Sequence, residues 1–92
     1  MGNETIESAA MYFPVTSAKE ATEASGGYAS VTGEAIVEVG CSVRVSDDLL
    51  VDAPEVNAWP EDVVGKTVVL KGRIQAKDGG FFMETTLYEV AD

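Results

Sequence analysis

Few residues in this chain have the types and spacing that chemistry needs. There is no histidine, so the commonest general base is absent. Cys41 is the one cysteine, which excludes an internal disulfide. It stands between Gly40 and Ser42 in a stretch of alternating apolar residues. With no histidine to activate it, it reads as a small core residue. No glycine-rich phosphate loop joins a strand to a helix. Carboxylates abound in a chain of net charge −10, so pairs of them say nothing about acid–base catalysis. A protein that is not an enzyme is expected.

Three groupings remain as binding candidates. Asp47, Asp48, Asp52 and Glu55 offer the oxygens that hard cations favour. Their spacing fits no calcium loop, and an Asp-rich hairpin turn needs no ion. Met11, Trp59 and Met83 would suit a soft metal, but without histidine beside them they read as packing residues. No metal or cofactor is therefore expected. Lys71, Arg73 and Lys77 form a basic stripe along one strand. The stripe would contact an anion, or it would face Glu34 and Glu38 of a neighbouring strand. The second is the expectation, since cross-strand pairs of opposite charge are common and contribute up to about 1 kcal/mol.

The charge is uneven. Residues 1–62 hold twelve acids against Lys19 and Arg44, while residues 63–92 hold four acids against four bases. The acidic field repels nucleic acid and anionic membranes and attracts a basic partner. No run approaches the length of a membrane span. The start shows no basic region followed by an apolar run, so no leader is legible there. Export and a cytoplasmic life both fit this composition.

The positioning elements follow from alternation and turn residues. Ninety-two residues make one domain with a modest core. Residues 1–16 form an N-terminal segment in which Met11, Tyr12 and Phe13 are apolar enough to dock, on the rest of the fold or on another subunit. Ser17 and Glu20 fit a capping box for a helix over 18–24, packed through Ala18, Ala21 and Ala24. Residues 28–39 alternate as a long strand, with Ala29, Val31, Gly33, Ala35, Val37 and Val39 inward and Ile36 outward. Gly33 is where that strand would coil to serve two sheets. Two short strands follow over 41–46 and 49–53, the first with Cys41, Val43 and Val45 inward.

The stretch Trp59–Ile74 organises the rest. Pro60 suits the first turn of a short helix ended by Gly65, with Trp59 anchoring this connector over one end of the fold. A fourth strand spans 67–76 with Val68, Leu70, Gly72, Ile74 and Ala76 inward. Lys77-Asp78-Gly79-Gly80 makes a tight turn into a fifth strand over 81–90.

Three strands, a short helical connector and two strands, with Gly65-Lys66-x-Val68-x-Leu70-x-Gly72-x-Ile74 opening the fourth, resemble the oligonucleotide/oligosaccharide-binding (OB) fold. The expected fold is an all-β, five-stranded OB-like Greek-key barrel over 17–92. The chain is most similar to small bacterial OB-fold proteins, often exported, in which an Ala-Lys helix precedes a Val-Thr, Gly and Ile-Val strand. Those pieces here are Ala18-Lys19 and Val31-Thr32-Gly33-Glu34-Ala35-Ile36-Val37. The resemblance implies ligand binding on the second and third strands and nearby loops. That face departs from nucleic-acid binders, because Ser42, Arg44, Ser46, Leu50 and Asp52 present no aromatic there.

The leading expectation is a non-catalytic module that binds a protein or a small ligand. Its contacts would come from Met11, Tyr12, Phe13, Arg44, Lys71 and Arg73, and self-association is compatible with it. One alternative is an acidic mimic of nucleic acid that occupies a basic partner. The other is a weak binder of single-stranded nucleic acid through the basic stripe.

Overall fold

The computed structural model describes residues 12–38 and 40–91, with all of their side chains except those of Thr85 and Thr86. The elements are β1 (Phe13–Pro14), α1 (Ala18–Ala24), β2 (Tyr28–Val37), β3 (Cys41–Ser46), β4 (Leu49–Asp52), β5 (Thr67–Lys77) and β6 (Gly80–Val90). β2 pairs antiparallel with β5 through residues 28–34, then with β3 through residues 34–37. β3 runs antiparallel to β4. β4 lies parallel to β6 at two rungs only, Val51–Phe81 and Asp52–Phe82, and β6 returns antiparallel to β5. The ring β2–β3–β4–β6–β5 is closed. The result is a small all-β barrel of five strands, compatible with an OB-like fold. β1 adds a sixth strand, parallel to β2 at Ala29 and Ser30.

Gly33 is what lets one strand serve two sheets. A Cβ built there would collide with the backbone of β3: the Arg44 carbonyl oxygen first, then its carbon at 2.7 Å and Val45 Cα at 2.9 Å. β3 bulges at that point, its register to β4 skipping from Arg44–Leu50 to Ser46–Leu49. A bulge bends its strand and sharpens the twist, which a small barrel needs to close. At the other hairpin, Asp78 and Gly79 both take positive φ, 51° and 81°. That is the mirror-image turn whose twist matches the strands on either side.

The barrel is filled by Val15, Ala29, Val31, Ala35, Val43, Leu49, Val51, Val68, Leu70, Ile74 and Met83. Small inward residues on β2 leave room for the larger ones on β4, β5 and β6. Inward alternation holds to Ala35 and then fails: Val37 is 67% exposed and Ile36 is half-buried. Val37 forms the last rung of the strand, opposite Cys41, where the barrel interior ends. Ala76 is likewise exposed near the far end of β5. Ser42, expected outward, is fully buried because Asp52 and the Glu38 carbonyl cover it. Its single hydroxyl proton has both acceptors within reach, Asp52 Oδ1 at 3.0 Å and the Glu38 carbonyl at 3.2 Å. The expected inward Val39 lies outside the described residues, as do Met11 and the rest of the N-terminal segment before Tyr12.

The expected helical connector is only one helical turn. Val63 and Val64 N–H donate to the Pro60 carbonyl at 2.8 and 3.3 Å, and no longer helix forms. Trp59 is buried over the end of β2, as its size suggests, and its indole N–H donates to the Ile36 carbonyl at 3.0 Å.

The α1 cap also differs in one partner. Ser17 Oγ accepts from Glu20 N–H at 3.2 Å, as expected of an N-cap. The Glu20 carboxylate, however, reaches back past Ser17 to Thr16, accepting from its N–H at 2.7 Å and its hydroxyl at 2.9 Å. These bonds to Thr16 hold the Glu20 carboxyl below its ordinary value of 4.5. A depressed folded pKa gives stability above the unfolded value that is lost as pH falls through the folded one. Glu20→Gln should therefore melt below the parent at neutral pH, and the gap should close as pH falls through the lowered folded pKa of Glu20. A gap in melting temperature that persists unchanged into acid would show that the ionised carboxylate is not what matters.

Candidate functional site

The barrel's weakest seam is the two-rung parallel pairing of β4 with β6, and a depression opens beside it. That groove holds about 700 Å³. One wall is Gly40, Cys41 and Asp52 from β3, β4 and the turn before them. A second is Pro54, Val56 and Asn57 of the connector. The β5–β6 hairpin supplies Lys77, Asp78 and Gly80, and β6 supplies Phe81 and Phe82. A neighbouring depression of about 320 Å³ shares Asp52, Gly80 and Phe81 and adds Arg44, Asp47, Asp48 and Leu50. The two are contiguous along the seam between β4 and β6.

The groove exists because of local sequence. The two-residue turn at Asp78-Gly79 brings Gly80 straight back, so Phe81 and Phe82 follow at once. Adjacent residues of a strand face opposite ways. Phe81 is half-buried against the core, while Phe82 is half-buried on the other face, with Lys77 Nζ 5.9 Å from its ring centroid. Pro54 ends β4, and the connector is tied at both ends. Ala53 N–H donates to the Cys41 carbonyl at 2.8 Å, and Trp59 holds Ile36. Four carboxylates, Asp47, Asp48, Asp52 and Asp78, line the two depressions against Arg44 and Lys77. Among the described residues no group of three His, Cys, Asp or Glu side chains converges to hold a metal ion.

The residues singled out from sequence fall in two places. Arg44 borders the smaller depression, where its guanidinium is 3.5 Å from Glu38. Tyr12, Lys71 and Arg73 gather elsewhere, on the outer face of β2 and β5. Tyr12 and Tyr28 meet edge to face at 6.0 Å; Lys71 Nζ lies 5.7 Å from the Tyr12 ring centroid and the Arg73 guanidinium 5.7 Å from that of Tyr28. Phe13, about half exposed, lines a shallow pocket of about 350 Å³ with Tyr28 and the end of α1. Met11 is outside the described residues.

The expected pairing of the basic stripe with Glu34 and Glu38 does not occur. Register sets Glu34 opposite Thr67, and Glu38 lies beyond the end of β2, beside Arg44. Lys71 instead meets Glu89 of β6 at 3.7 Å.

No protein-family model, curated protein or solved structure matches the chain. No helix among the described residues is long and apolar enough to cross a membrane. The sequence alone did not single out Phe81, Phe82 and Val56, which line the groove. The available signal was the pair of adjacent phenylalanines directly after a tight turn, since one of such a pair must face away from the core.

Proposed function

We propose that the protein is a non-catalytic binding module that takes a basic, extended segment of a protein partner in the groove beside β4. The observation that carries this is the groove itself: half-buried Phe81 and Phe82, rimmed by Asp52 and Asp78 with Lys77 between, on a chain of net charge −10. Apolar surface with a few placed polar groups is how ligand sites are usually built. The aromatic floor suits the aliphatic stems of lysine or arginine, and the carboxylates suit their heads. The resemblance to small bacterial OB-fold proteins supports the same region by analogy.

The test is titration of ¹⁵N-labelled protein with a basic peptide, an acidic peptide of equal length and a single-stranded oligonucleotide, at low and moderate salt. The basic peptide should shift the amides of Asp52, Asn57, Gly80, Phe81 and Phe82, and the effect should weaken with salt. Phe82→Ala should weaken binding by roughly tenfold or more if Phe82 is an interface anchor. The reading fails if the basic peptide leaves these amides unmoved, or if the oligonucleotide moves them instead.

A further inference from the structure

The outer face of β2, β5 and β6 has a charge order that the groove does not use. Register aligns Tyr28 with Arg73 and Arg73 with Glu84; one step along, Ser30 aligns with Lys71 and Lys71 with Leu87. Tyrosine, cation and carboxylate thus stand on successive strands, with Glu89 beside Lys71. Tyr28 and Leu87 are 50% and 53% exposed, large apolar surface for a folded domain to leave in water. The tyrosine rings hold both cations in place before any partner arrives.

From this we infer that the face docks a second copy of this chain. A two-fold axis along the strands, between β5 and β6, lays each β5 over the partner copy's β6. Arg73 then meets the opposite Glu84, Lys71 meets the opposite Leu87 near Glu89, and each contact occurs twice. A two-fold interface must be complementary to itself, and a row of cations beside a row of carboxylates is. Aligned sheets stack in this way with little rotation. Charge distribution favours the same face. The acidic excess lies wholly in residues 1–62, while β5 and β6 belong to the neutral last third. Two molecules of charge −10 approach at least cost there. Nucleic acid fits the face less well, since Glu84 and Glu89 flank the cations and each tyrosine ring already carries one of them.

Sedimentation velocity over a concentration series tests this. The wild type should self-associate to a dimer. Lys71→Glu/Arg73→Glu and Glu84→Lys/Glu89→Lys should each weaken self-association by roughly tenfold or more, because like charges then face each other. An equimolar mixture of the two should regain the dimer. A wild type that stays monomeric at every concentration overturns the inference, as do folded variants that still dimerise alone or fail to pair when mixed. Should a variant not fold, dilution of the labelled wild type decides: amide shifts must centre on Tyr28, Arg73, Glu84 and Leu87. Shifts centred elsewhere, or monomeric protein binding an oligonucleotide through this face, also overturn it.

Discussion

Gly33→Ala is expected to abolish the folded barrel or to lower its melting temperature by at least about 12 °C. The added methyl would meet the Arg44 carbonyl and the Val45 Cα, which are backbone atoms and cannot escape by changing rotamer. Overpacking usually costs about 1–3 kcal/mol where side chains can yield, and more where they cannot. A domain of this size has only about 5–14 kcal/mol in total, and each kcal/mol is worth about 4–8 °C. Relief would require β2 and β3 to part at the point where β2 changes partners, which opens the barrel. Gly27→Ala is the control, since its Cβ would meet only the Ala24 carbonyl at an ordinary 3.4 Å. Thermal unfolding followed by circular dichroism compares them. Equal stability of the two variants would refute the close approach as the reason for glycine at 33.

How much of this was legible follows from which contacts are local. Alternation from Ala29 to Ala35, the Ser17 cap, the Asp78-Gly79 turn and the inward row of β5 from Val68 to Ile74 depend on a few neighbouring residues, and each could be read. Gly33 stood out because a glycine at the centre of a β-pattern needs a reason. Register was not legible in the same way. Whether Glu34 faces Lys71 or Thr67 depends on how a long strand divides between two neighbours, and alternation alone does not set that division. Ser42 followed the outward parity but was covered by Asp52, ten residues later. The site was harder still. The meeting of Tyr12 with Lys71 requires the parallel docking of β1 on β2, and the groove requires β4 to meet β6 at only two rungs. Both are tertiary events with no signature in a short window.

The second large effect is expected at Trp59, and it links the fold to the groove. Trp59→Ala should cost about 3–5 kcal/mol, as large-to-small changes of buried aromatics do. Trp59 is 6% exposed and packs edge to face on Tyr88, with ring centroids 4.9 Å apart. Its N–H is also a partner of the Ile36 carbonyl. Trp59→Phe separates the two contributions. It keeps a ring against Tyr88 but removes the donor, and loss of one such hydrogen bond costs about 1 kcal/mol. Urea unfolding followed by circular dichroism, which does not rely on the lost indole, should rank the parent above Trp59→Phe and that above Trp59→Ala. Equal loss in both variants would mean that the hydrogen bond dominates and ring packing adds nothing. The same residue fixes the connector that carries Pro54, Val56 and Asn57 along the groove wall. Ala53 and Trp59 both anchor the connector, so losing the second anchor loosens the wall while the barrel strands stay paired. Under conditions where Trp59→Ala remains folded, it should therefore bind the basic peptide more weakly than Trp59→Phe does, although Trp59 lines neither depression.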